Sequence, residues 1–124
     1  MSGPWIQTAV LCQKVSAQEG KLVAADVLDG IAIDGGSQVN INLLIALVRG
    51  EWQGPIKLHV VAYDPAGDPV AAMDVDGDPP AIPYAISRIV VPIEVVPGQP
   101  GVYWFDLSIE HQTLTRVPLR IDWR

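Results

Sequence analysis

Apolar and polar residues alternate with a period of two along most of this chain. Between Gln38 and Arg49, every second position is apolar: Val39, Ile41, Leu43, Ile45 and Leu47. Successive side chains of a strand point to opposite faces, so this spacing builds one wholly apolar face. The same alternation recurs at Ile56, Leu58, Val60 and Ala62, at Ile89, Val91 and Ile93, and at Val117, Leu119, Ile121 and Trp123. After the Pro100-Gly101 turn, Tyr103, Phe105, Leu107 and Ile109 follow it again, with the tyrosine in the anchoring position of a late core strand. Strands are therefore expected over residues 5–15, 21–28 with a continuation at 31–33, 38–49, 56–63, 70–75, 86–95, 102–109 and 113–123. Asp29-Gly30 predicts a bulge or bend within the second of these. Ile6, Val10 and Cys12 form the more apolar side of the first. No helical periodicity of useful length appears. About eight short strands with turn residues between them predict an all-β, immunoglobulin-like antiparallel β-sandwich, with residues 1–124 as one domain.

Two strands carry more information than their inward face. Opposite Val39–Leu47, the sequence begins polar at Asn40 and Asn42 and turns apolar at Leu44, Ala46 and Val48. A strand that is apolar on both sides is central, or is covered on its outer face. Pro92 cannot donate to a ladder, which places the strand over 86–95 at an edge or gives it a bulge. In the C-terminal hairpin, antiparallel partners have a constant residue sum, and a one-residue slip turns a strand inside out. An even sum keeps both apolar sets inward and calls for a three- or five-residue loop. Closure at Ile109–Thr113 places Trp104 opposite Pro118. Closure at Glu110–Leu114, the favoured register, places it opposite Arg120, whose guanidinium then stacks on the indole.

The chain has 124 residues, of which 49% are apolar. That surplus exceeds what one small sandwich hides and predicts an apolar patch left for a partner. A net charge of −6 argues against nucleic acid or an anionic membrane surface as that partner. The single cysteine, Cys12, has no internal disulfide partner and fits a reducing compartment. The start Met1-Ser2-Gly3-Pro4-Trp5 lacks the charged and apolar regions of a signal peptide, and the run 43–48 is too short to span a bilayer. A cytoplasmic protein is expected.

The chemistry-bearing residues form no catalytic constellation. Asp74, Asp76 and Asp78 have the spacing of a calcium-loop start, but Ala85 stands where the late glutamate belongs, and Pro79 and Pro80 bar the loop's usual course. Pro79, Pro80 and Pro83 predict an irregular crossing between sheets. His59 and His111 have no cysteine or histidine neighbours at zinc spacing. Cys12 lies in an apolar strand, where a thiol behaves as a small hydrophobe. Glu94 and Glu110 flank strands and could face each other. The tryptophans are Trp5, Trp52, Trp104 and Trp123; Trp104 on an outer face and Trp52 in a turn are candidates for exposure. With Arg116, Arg120 and Arg124 nearby, exposed aromatics suit a protein interface. The candidate interface is accordingly Trp104, Arg120, Arg116, Leu44, Ala46, Val48 and Trp52. The expected function is non-catalytic association, as a homo-oligomer or an accessory subunit, without a cofactor. The rivals are a module binding sugars or other small molecules, and an enzyme or calcium protein using the 74–78 loop.

Three blocks carry a resemblance: Ala9-Val10-Leu11-Cys12 followed by Glu19-Gly20-Lys21-Leu22, Tyr63-Asp64-Pro65-Ala66-Gly67, and Pro100-Gly101-Val102-Tyr103-Trp104-Phe105. Together they resemble a bacterial family of small β-sandwich proteins, a domain of unknown function. The family's Asp-Gly hairpin before the last strand is replaced here by Glu110-His111-Gln112. The resemblance implies the fold and a cytoplasmic setting, and it implies no activity.

Overall fold

The computed structural model describes residues 3–77, 82 and 85–124. Pro79, Pro80, Pro83 and Asp78 lie outside those residues. The described chain forms nine strands and no helix: β1 (Trp5–Gln18), β2 (Lys21–Val27), β3 (Gly30–Ile33), β4 (Val39–Val48), β5 (Ile56–Tyr63), β6 (Pro69–Gly77), β7 (Ile86–Val95), β8 (Gly101–Ile109) and β9 (Gln112–Trp123). Two sheets pack face to face: a four-stranded sheet in the order β2-β1-β4-β7 and a five-stranded sheet in the order β3-β9-β8-β5-β6. The expected inward residues line the core between them. Two differ: Val117 is only partly buried against its margin, and Trp123 at the end of the same alternation is exposed. Pro92 sits on β7, an edge strand, as its missing N–H requires.

The ninth strand is β3. Instead of bulging at Asp29-Gly30 and continuing, the chain leaves the four-stranded sheet there and joins the other. Asp26 takes a left-handed φ of 57°, the Leu28 N–H still donates to the Leu11 carbonyl at 2.7 Å, and the Asp29 carbonyl already accepts from Arg120 at 3.1 Å. β3 then runs parallel to β9, the one pairing among these strands that is not antiparallel.

β1 also departs from expectation. Ile6 opposes Leu47 on the core side, but the register shifts between Ile6 and Thr8, and parity reverses. Ala9 and Leu11 then face inward opposite Ile45 and Leu43, while Val10 and Cys12 turn outward opposite Leu44 and Asn42. The turn after β1 is also tighter than 16–20: only Glu19 and Gly20 lie outside the strands, both at positive φ.

In the C-terminal hairpin the even sum holds along the body, with Phe105 opposite Val117 and Trp104 opposite Pro118. The favoured Glu110–Leu114 closure does not occur. Glu110 and His111 make a two-residue turn with φ of 49° and 67°, Ile109 pairs Gln112, and a register shift between Leu107 and Ser108 restores parity. A bulge thus supplies the extra residue that a longer loop was expected to supply.

The second and third of the resembling blocks meet in space. Asp64 Oδ1 accepts from the N–H groups of Ala66 and Asp68 at 3.0 and 2.9 Å, fixing the β5–β6 turn. Pro65 of that turn lies against Gly101, where an added Cβ would come within 2.6 Å of the proline ring and where φ is 137°. Only glycine fits there. The Tyr103 hydroxyl, buried in the same corner, donates to the Gln99 carbonyl at 2.7 Å, and burial pushes its pKa up.

Candidate interaction surfaces

The outer face of the four-stranded sheet is aliphatic. Across β1, β4 and β7 its residues align in rows: Trp5, Val48 and Ile86; Thr8, Ala46 and Arg88; Val10, Leu44 and Val90; Cys12, Asn42 and Pro92. Leu44, Ala46 and Val48 are half-buried, and no further strand layer among the described residues lies over them. Cys12 is fully buried within its row, and desolvation raises its pKa. A thiol in that state is a small hydrophobe and no nucleophile. The Asn42 amide is engaged, donating to the Gln13 carbonyl at 3.0 Å.

The outer face of the five-stranded sheet carries the aromatic and charged residues. Tyr63, Trp104 and Pro118 form one row, with Val61, Asp106 and Arg116 beside it. Arg116, and not Arg120, lies over the indole, 5.2 Å from its centroid. It sits diagonal to Trp104 in this register, while Arg120 opposes Val102. Each arginine here has its own carboxylate: Arg116 Nε donates to Asp106 at 2.7 Å, Arg120 Nε to Asp122 at 3.0 Å, and Arg124 Nε lies 3.7 Å from Asp34. The patch is locally neutral, and one face of Trp104 is already covered. Asp74 and Asp76 belong to the same face. They project from the regular strand β6 opposite His59 and Lys57, not from a loop, and His59 Nδ1 pairs with Asp74. Glu94 and Glu110 do not face each other. Glu94 pairs with Asn40 near one end of the sandwich, and Glu110 stands in the β8–β9 turn at the other.

That second end holds Trp52. Arg49 is the buried charged side chain among the described residues, and its Nη1 donates to the Gly50 and Trp52 carbonyls at 3.1 and 3.0 Å. The Trp52 N–H returns to the Arg49 carbonyl, and the indole Nε1 donates to the Pro55 carbonyl. Trp52 is therefore half-buried and held, not a freely exposed turn residue. Arg49 is invisible to pattern reading, because a charged residue that ends a strand reads as solvated.

No family model and no curated protein matches the chain, so the resemblance of the three blocks to a bacterial family is not shown, and what the comparisons support is the fold. Among the described residues, no group of three His, Cys, Asp or Glu side chains comes together to hold a metal ion. Among solved structures, the chain is similar to an immunoglobulin-like protein from Pseudomonas aeruginosa, at 12% identity over 96% of each chain with a TM-score of 0.53. It is also similar to the CARDB domain of a Pyrococcus furiosus protein, solved in complex with di-metal ions, at 12% identity over 100% of this chain and 98% of that one, with a TM-score of 0.51. The chain has the immunoglobulin-like β-sandwich fold that these bacterial and archaeal domains share.

Proposed function

We propose that the chain is a non-enzymatic association module that pairs with a second copy of itself through the outer face of the four-stranded sheet. The carrying observation is the outward order along β7, Arg88, Val90, Pro92 and Glu94, in which a cation and an anion flank apolar residues. Neither charge has an ion-pair partner among the described residues. A two-fold axis in the interface plane, perpendicular to the strands, lays β7 antiparallel on its copy and sets Arg88 against the partner copy's Glu94 twice. The same operation stacks the rows of Val10, Leu44 and Val90 on those of Cys12, Asn42 and Pro92. Self-complementarity of this kind is what an isologous interface demands, and facing sheets pack this way in aligned sandwiches.

The face of β1, β4 and β7 is about 14 Å across and about 23 Å along the strands, so pairing buries about 650 Å² in all, at the weak, concentration-dependent end of protein contacts. The net charge of −6 turns such a module away from nucleic acid and anionic membranes, and the free, buried Cys12 suits a reducing cytoplasm. The locally neutral Trp104 patch is the weaker candidate for the same role.

Sedimentation velocity over a concentration series tests the reading. The wild type should associate with a dissociation constant in the micromolar range, and Arg88→Glu should abolish association. Arg88→Glu combined with Glu94→Arg should restore it, because the reversed charges still meet. A wild type that stays monomeric throughout, or a double variant no better than the single one, overturns the pairing.

A further inference from the structure

The end of the sandwich holds a cleft that self-association does not use. It has a volume of about 440 Å³ and is lined by Gly3, Glu51, Trp52, Gln53, Gly54, Glu110 and Gln112. A second hollow of about 230 Å³ continues from it towards Lys57 and Ile109, and shares Trp52, Gly54 and Glu110. Together they make a groove with the indole and Glu110 at its middle. Its size falls in the range of small-ligand sites.

The groove is built on a fixed frame. Burying a guanidinium is costly unless it is fully hydrogen-bonded, and the buried Arg49 is spent on the carbonyls that shape the Trp52 loop. Gly3 closes against the same loop, where an added Cβ would lie 2.7 Å from the Arg49 carbonyl oxygen. On the other wall, Glu110 and His111 hold left-handed backbone that an Asn-Gly pair would adopt with less strain. Residues kept in unfavourable backbone are found where their side chains serve a site.

The chemistry of the lining selects the ligand. The indole N–H is committed to Pro55, so Trp52 contributes an apolar ring surface and no donor. Around it stand two carboxylates and two carboxamides, on Glu51, Glu110, Gln53 and Gln112. Carboxylates accept from hydroxyl groups, and carboxamides both donate and accept. An apolar plate rimmed by acceptors and paired donors matches a pyranose ring, whose C–H face is apolar and whose hydroxyls ring its edge. The two carboxylates outnumber the one cation of the groove, Lys57, and disfavour an anionic ligand. A single aromatic with amides beside it lacks the several faces of a cage for organic cations. We infer that this groove is a binding site for a neutral oligosaccharide seated on Trp52, with Glu51, Gln53, Glu110 and Gln112 holding its hydroxyls.

Saturation-transfer NMR with cellotriose, maltotriose and triacetylchitotriose tests the inference, with choline as the cationic probe. At least one trisaccharide should bind saturably. Glu110→Ala and Gln53→Ala should each weaken it about ten-fold, as expected for the loss of one hydrogen-bonding group in a site. Trp52→Phe, which keeps a ring in the loop, guards against a Trp52→Ala variant that fails to fold, and should weaken binding less than the alanine change. Trp104→Ala and Leu44→Lys, on other surfaces, should leave binding unchanged, which separates this site from self-association. The inference is overturned if no trisaccharide saturates, if choline alone binds, or if binding survives Glu110→Ala and Gln53→Ala intact.

Discussion

Leu43 and Leu44 are adjacent and chemically identical, and they point to opposite faces of β4. Leu43 is fully buried between Leu11 and Val91 on its flanking strands and the opposite sheet. Leu44 is half-buried on the outer face between Val10 and Val90. Leu43→Ala removes about 2 kcal/mol of transfer energy at roughly 0.8 kcal/mol per methylene. It also leaves a closed void between two sheets, which brings the total to about 3–5 kcal/mol. Leu44→Ala loses only part of the transfer energy and leaves no closed void, so its cost is about 1 kcal/mol. For a chain of this length, those figures correspond to falls in Tm of roughly 10–20 °C and roughly 3–5 °C. Urea titration followed by far-ultraviolet circular dichroism, on protein diluted below association, reads both. Raising the concentration should widen the penalty of Leu44→Ala and leave that of Leu43→Ala nearly constant, because a dimer stabilises only the variants that form it. Equal costs at low concentration would refute this assignment of the faces of β4.

Two further outcomes follow from burial and backbone geometry. Burial holds the pKa values of Cys12 and Tyr103 above their ordinary values. The unfolded chain then loses these protons first, so stability is full at neutral pH and falls above about pH 8.5 for the thiol and about pH 10 for the phenol. Denaturant titrations across that range should show Cys12→Ala abolishing the earlier decline, and a native thiol inert to disulfide reagents until unfolding. Replacing Glu110-His111 by Asn-Gly should raise stability by about 1 kcal/mol, since both positions have positive φ. The same change should weaken the saccharide binding proposed for Glu110 about ten-fold, and calorimetry of stability and binding on one variant checks both.

What could be read ahead of the structure was parity. Where polar residues break the outer face, as in β5, β7 and β8, alternation determines which residues face inward, and those strands fall where expected. Where both faces are apolar, parity has nothing to act on. Val10, Leu11 and Cys12 are all hydrophobic, and a one-residue irregularity near Gln7 decides among them. β3 was hidden for a different reason. Its partner, β9, is distant in sequence and runs parallel to it, so no local turn signals the pairing. In the last hairpin, the even sum was legible because both strands have a single apolar face. The way the extra residue is absorbed was not, because a bulge and a longer loop leave the same parity.

The same distinction runs through the surfaces. The outer aliphatic face of β4 could be read directly, because Leu44, Ala46 and Val48 repeat on one strand. The arginines near Trp104 could only be counted, because what they do depends on carboxylates brought from elsewhere. Asp106 sits across the hairpin from Arg116, and Asp34 comes from beyond β3 to Arg124. Once those pairings form, the charged patch has little free charge to offer a partner, and exposed ion pairs of this kind contribute little to stability either. Arg88 and Glu94 are separated along one strand and have no such partners among the described residues. Folding thus neutralises the surface that composition makes conspicuous and leaves Arg88 and Glu94 uncompensated on either side of Val90 and Pro92, where a second copy can meet them.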